Sequence, residues 1–196
     1  MVYEKKENII LELYKNTRTV FRINDIALIM GKEKTDALHK LINYYVRSGK
    51  LLNPRRGFYA KTGYKSEELA CLLYPPTYIS LGYVLQRSGV IFQYYSAITN
   101  VSYLSREIEI DNQTFCYRQV KGEILVNTDG ILLNENNINI ATPERAFLDM
   151  LYLNSHYYFD NLHILDKKKV TALLSVFRSP TLEKRVKKLF ENDKYH

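Results

Sequence analysis

The sequence has no tryptophan, only two cysteines, and no apolar run near the roughly 20 residues that a membrane-spanning helix needs. Its first segment, Met1-Val2-Tyr3-Glu4-Lys5-Lys6-Glu7, is charged and lacks the apolar core of a signal peptide. Both absences predict a cytoplasmic protein with no membrane partner. Cys71 and Cys116 are far apart in different patterns, which argues against a disulfide framework and leaves too few thiols for a Cys-only zinc site. The four histidines, His39, His156, His163 and His196, form no pair at helical ligand spacing. His156 and His163 could share a helix face, but the segment between them does not read as a stable helix. No Gly-rich phosphate loop, nucleophile elbow or His-Glu-x-x-His motif occurs. Carboxylate pairs such as Glu107 with Glu109 fit a solvated hairpin. The expectation is therefore no enzyme, no metal and no cofactor.

Charge is present, and it is unevenly placed. Residues 1–61 hold 13 Lys and Arg against 6 Asp and Glu, residues 62–166 hold 6 against 12, and residues 167–196 hold 9 against 3. The basic ends are where a polyanion would be held, and the acidic middle argues against DNA wrapping the whole protein. The 196 residues, 46% hydrophobic and 25% charged, allow one or two domains with a real core. The 17 tyrosines read mainly as compositional bias alongside abundant Lys, Asn and Ile.

Residues 22–60 read as helix, turn, helix and basic hairpin. Asn24 is a cap candidate for the first helix, with Asp25 in its first turn and Ile26, Ile29 and Met30 on its apolar side. Gly31 suits its end. Thr35 is the next cap, and Ala37, Leu38, Leu41, Ile42, Tyr45 and Val46 follow at helical spacing. Leu51-Leu52, a turn over Asn53-Pro54-Arg55-Arg56-Gly57, and Phe58-Tyr59-Ala60 complete a winged helix-turn-helix plan. Arg55 and Arg56 at the wing tip suit phosphates or a narrow minor groove. Lys34, His39, Lys40, Asn43, Tyr44 and Arg47 lie on the other side of the second helix and can donate to phosphates and base edges in a major groove. A solvated helix face beside a solvated turn is the alternative.

A helix over Glu4–Tyr14, with Ile9, Ile10, Leu13 and Tyr14 as its stripe, should pack on this pair. Arg18 lies in a polar connector and could touch phosphate. Val20–Ile23 reads as a short strand pairing with the wing. Lys61–Ser66 is the predicted boundary, giving domains 1–62 and 63–196. In the second domain Glu67–Tyr74 reads as a helix, Ser80 as the cap of a helix to Ser88, and a strand starts near Ala97. Glu107–Val120 alternates as a hairpin turning at Asp111-Asn112-Gln113. Ile124–Val126 and Ile131–Leu133 flank an Asp129-Gly130 turn signal and read as a second hairpin. Thr142, Pro143 and Glu144 mark a helix start, and the helix that follows is apolar on most sides. On it Arg145 and Asp149 are spaced to pair, as a surface pair if exposed. Basic helices over Lys167–Phe177 and Thr181–Glu191 end the chain. The fold class expected is α+β: a winged helix-turn-helix, then a mixed α/β domain with an antiparallel hairpin sheet and terminal helices.

Three segments carry a family resemblance. Ala141-Thr142-Pro143-Glu144-Arg145-Ala146-Phe147-Leu148-Asp149-Met150-Leu151 resembles the capped helix of AbiEi-type antitoxins. Tyr78-Ile79-Ser80-Leu81-Gly82-Tyr83-Val84-Leu85, with Gly89-Val90-Ile91, resembles a second helix of that family, and Gly57-Phe58-Tyr59-Ala60 resembles its wing. The likeness spans most of residues 8–153. It implies a DNA-binding autorepressor that binds inverted repeats upstream of its own operon. It further implies an antitoxin countering a nucleotidyltransferase toxin, in a system linked to phage abortive infection. A winged-helix protein-interaction module without antitoxin activity is the rival reading, and a nucleic-acid-processing enzyme a third.

Overall fold

Short polar signals decide where this chain changes direction, and a computed structural model places them for residues 2–31, 35–134 and 136–192, with side chains described for all but 2–8 and 192. The architecture is α+β with helices and mixed sheets. It divides into two compact units, Met1–Leu69 with Glu135–Asn137, and Ala70–Asn134 with Ile138–His196. The division falls past the predicted Lys61–Ser66 boundary because Glu68 belongs to the first unit. Its Oε2 accepts from the Thr19 and Val20 amides at 2.6 and 2.9 Å and from the Thr19 hydroxyl at 2.9 Å.

The first unit runs α1 (Val2–Lys15), β1 (Val20–Arg22), α2 (Ile23–Ile29), α3 (Asp36–Arg47), β2 (Leu52–Arg55) and β3 (Phe58–Ala60). The strands form an antiparallel sheet in the order β1-β3-β2. Ile9 and Leu13 of α1, Phe21, Ile26, Ile42 and Leu51 are buried in one apolar cluster. At about 1.5–3 kcal/mol for each fully buried large side chain, that cluster is what holds the helices to the sheet. Asn24 is not the cap of α2: β1 passes directly into the helix, and Asp25 Oδ2 accepts from the Arg22 amide at 2.7 Å. Thr35 does cap α3, its hydroxyl accepting from the Leu38 amide at 3.3 Å. Ala37, read as inward, is exposed.

The hairpin turn is tighter than the five residues predicted. Arg55 pairs with Phe58, so Arg56 and Gly57 alone turn the chain, with Gly57 at φ +85°. Between Leu52 and Arg55 the register slips by one residue, and Asn53 Nδ2 fills the gap by donating to the carbonyls of Arg55 and Phe58. Pro54, which has no amide hydrogen, sits in that bulged edge strand.

The second unit contains a six-stranded sheet in the order β6-β7-β5-β4-β9-β8: β4 (Thr77–Ile79), β5 (Ile98–Ser102), β6 (Arg106–Ile110), β7 (Gln113–Gln119), β8 (Ile131–Leu133) and β9 (Asn139–Ala141). The β4–β9 and β5–β7 pairs are parallel and the others antiparallel, so the sheet is mixed rather than an antiparallel hairpin sheet. The β6–β7 hairpin turns on Asp111 and Asn112, both at positive φ. The helices are α4 (Ser66–Leu73, shared with the first unit), α5 (Gly82–Arg87), α6 (Gly122–Val126), α7 (Pro143–Leu153), α8 (Lys167–Phe177) and α9 (Pro180–Asn192). Helix α7 packs against α5, α8 and α9.

Three local expectations change here. Ser80 does not cap α5; its hydroxyl donates to Asp149 Oδ2 at 2.8 Å. Residues 124–126 form the end of α6, not a strand, and β8 pairs with β9 instead. Arg145 and Asp149 are not a surface pair: both side chains are fully buried. Thr142 caps α7 as its sequence suggests, its hydroxyl accepting from the Arg145 amide at 3.3 Å, and Pro143 opens the helix. Gly130 stands at φ +74°, where an added Cβ would lie 2.9 Å from Arg145 Cβ.

Candidate nucleic-acid interface

Helix α3 turns by about 100° per residue, and burial divides it cleanly. Leu38, Ile42 and Tyr45 are buried. Lys40, Asn43, Tyr44 and Arg47 are exposed, and His39 is half-buried at the flank. Lys40, Asn43 and Arg47 lie three and four residues apart, so they form one row along the open face. Tyr44 is 47% exposed and meets the buried Tyr45 edge-on, with ring centroids 5.6 Å apart. Lys34 lies outside the described residues.

At the hairpin, Arg56 occupies the turn and is exposed, while Arg55 is a half-buried strand residue opposite Phe58. The two arginines therefore differ, although the sequence offered them as a matched pair. Neither Lys40, Arg47 nor Arg56 has a carboxylate within salt-bridge distance among the described residues. Their charges are uncompensated on the first unit's surface, the condition for attracting a polyanion.

Three other basic residues of this unit are already engaged. Arg18, read as a possible phosphate contact, is paired with Asp25 at 3.1 Å and lies 5.6 Å from the Phe21 ring centroid. Arg22 lies over the Phe58 ring at 5.5 Å, bracing β1 against β3. Lys61 is buried and donates to the carbonyls of Tyr14 and Asn16; burial lowers its ammonium pKa, opposed by the Glu68 charge. These three serve the frame that carries α3 and the hairpin.

The densest polar cluster lies in the second unit and is closed to solvent. The Arg145 guanidinium has five N–H donors and meets five acceptors. Nε donates to Asp149 Oδ1 at 3.2 Å. Nη1 donates to the carbonyls of Asn127 and Asp129 at 3.4 and 2.9 Å. Nη2 donates to the Tyr78 hydroxyl at 2.9 Å and the Ile124 carbonyl at 2.8 Å. The Tyr78 hydroxyl in turn donates a hydrogen bond to Asp149 Oδ1 at 3.1 Å. Burial pushes the Asp149 carboxyl up, with Arg145 and the donors from Ser80, Arg145 and Tyr78 pulling the other way. Burial also raises the Tyr78 hydroxyl. With every guanidinium donor used and the side chains of Arg145, Asp149, Tyr78 and Ser80 buried, the cluster organises structure rather than presenting a reactive group. The sequence carried one signal for it: a charged pair on a helix apolar on most sides.

Cys116 and Glu107 line a separate cleft of about 630 Å³ in the second unit, with Arg118 and Tyr157. The thiol donates to Glu107 Oε2 at 3.3 Å, and burial together with that bond pushes its pKa up to about 11. Among the described residues no group of three His, Cys, Asp or Glu is placed to hold a metal ion. No described helix is long and apolar enough to cross a membrane. Comparison with protein-family models and with curated proteins returns no match.

Proposed function

We propose that the first unit is a winged helix-turn-helix that binds double-stranded DNA, with α3 as the recognition helix and the β2–β3 hairpin as the wing. The observation that carries this reading is the row Lys40, Asn43 and Arg47 on the open side of α3, in the same unit as an exposed Arg56 at a hairpin tip. Lysine and the two guanidiniums neutralise phosphates, and Asn43 and Arg47 have the donors that read adenine and guanine edges. Lys34, His39, Tyr44 and Arg55 complete the proposed contact set.

The proposed role is a cytoplasmic, non-catalytic transcriptional autorepressor. The resemblance of the Thr142 helix and the Tyr78–Leu85 segment to AbiEi-type antitoxins extends the proposal to an antitoxin acting against a nucleotidyltransferase toxin. Mobility shift with the DNA upstream of its own reading frame tests the first part. A complex that weakens steeply with salt and survives competitor of unrelated sequence is the expected result. Salt-insensitive association, or no shift, would refute it and favour a protein-docking module. Rescue of growth on co-expression with an adjacent nucleotidyltransferase tests the second part.

A further inference from the structure

We infer that the second unit carries its own site for single-stranded nucleic acid, in a cleft of about 410 Å³ between the end of α7, the loop that follows it, and α9. This goes beyond the duplex reading and rests on different residues. The ionisable side chains lining the cleft are His156, Tyr157, Tyr158, Arg185 and Lys188, and among the described residues no carboxylate lines it. Arg185 and Lys188 are one turn apart on α9, where like charges repel. Lys187, beside them, reaches Glu191 at 3.9 Å, whereas Lys188 has no acidic partner among the described residues. Arg185 makes a single long bond, 3.4 Å to the Leu151 carbonyl, and keeps most of its donors open. Uncompensated cations converging on a concave surface suit phosphate.

The rest of the lining suits a base. Tyr158 lines the cleft with 77% of its surface exposed, so its ring is open to contact. Tyr157 forms part of the wall and is held by Tyr95, hydroxyl to hydroxyl at 3.1 Å. Rings then run in series from Tyr157 to Phe159, Phe147 and Phe190, with centroids 5.0, 4.7 and 5.9 Å apart. That series ties the loop to α7 and α9, so the two walls are set before any ligand arrives. The acid that acts on Tyr157, Asp160, is occupied by the Phe92 amide at 2.8 Å. A pocket combining fixed cations with a stacking ring takes a splayed-out nucleotide, which a duplex keeps inside its stack.

The test is fluorescence anisotropy of the full chain with labelled oligouridine and oligothymidine. Tyr158→Ala and Lys188→Glu, both at exposed positions, are each expected to weaken binding about tenfold, and Tyr158→Phe to retain it. Tyr158→Ala should leave the affinity for duplex DNA unchanged, which separates a failure here from a failure of the duplex reading. Binding of one oligomer over the other would name RNA or DNA as the source of the strand. No binding of either by the wild-type protein, binding indifferent to Tyr158→Ala, or preferred binding of polyglutamate would each overturn the assignment.

Discussion

Arg145 Nε and Asp149 Oδ1 stand 3.2 Å apart, one turn along α7, and neither residue exposes any side chain. The guanidinium reaches beyond that turn to the carbonyls of Ile124, Asn127 and Asp129, and the carboxylate receives Tyr78 and Ser80. A single pair thus fastens α7 to β4, to the residue following it, and to the end of α6 and its following loop.

Breaking the pair from one side leaves a buried charge without its partner. Arg145→Met is expected to destabilise the protein by about 3–5 kcal/mol in urea unfolding. The double variant Arg145→Met with Asp149→Leu should lose less than the sum of the two singles, by about 1–3 kcal/mol. Strict additivity would mean that the two side chains act independently.

Glu68 plays a comparable part in the first unit. Glu68→Ala orphans the amides of Thr19 and Val20, a loss of about 3 kcal/mol. Amide exchange at those two positions should accelerate more than at Ile42. Glu68→Gln, which keeps an acceptor oxygen, should recover part of the protection.

Cys116 should be a slow thiol at neutral pH. Its folded-state value of about 11 lies above the ordinary 9.0, so the protonated form is favoured in the folded protein. The associated stability is fully present below pH about 9 and is lost as pH rises through about 11. Alkylation by iodoacetamide, followed by peptide mass mapping, should stay slow at pH 8 and rise towards pH 11. Glu107→Gln should move that rise to lower pH.

The proposed duplex contacts separate by chemistry. Arg56→Ala and Arg55→Ala are each expected to weaken binding at every sequence and to lower the salt slope by about one. Asn43→Ala or Arg47→Ala should cost about 1–3 kcal/mol at particular bases and leave other sequences nearly unaffected. Affinity titrations at several salt concentrations, on operator and scrambled duplexes, distinguish the two patterns.

Capping chemistry was the most legible part of the fold. Thr35 and Thr142 carry their instruction in one side chain, and Asp111-Asn112 tolerates the positive φ its hairpin needs. The strand Thr77-Tyr78-Ile79 was not legible, because all three residues are buried and no alternation survives to mark it. Ser80 looked like a cap since a hydroxyl before an apolar run usually is one; its real partner, Asp149, is 69 residues away. Ile124-Leu125-Val126 is too short for its period to decide between strand and helix, and long-range demand from Arg145 helps decide it. Along α3, spacing placed Lys40, Asn43, Tyr44 and Arg47 on the open side, but it put His39 there too, which is half-buried, and read the exposed Ala37 as inward. It did not reveal that the hairpin turns on two residues, and so puts Arg55 in a strand and Arg56 at the apex.

Strand β4 lies between β5 and β9, and its parallel neighbour enters only at Asn139–Ala141. Translation proceeds at roughly 5–20 residues per second, so several seconds separate the two on the ribosome. Tyr78 leaves the exit tunnel 71 residues ahead of Asp149. A nascent chain truncated before Asn139 therefore presents one edge of β4 unpaired and two hydroxyls without their carboxylate. Such a fragment is the form of this protein on which chaperones and proteases would be expected to act first.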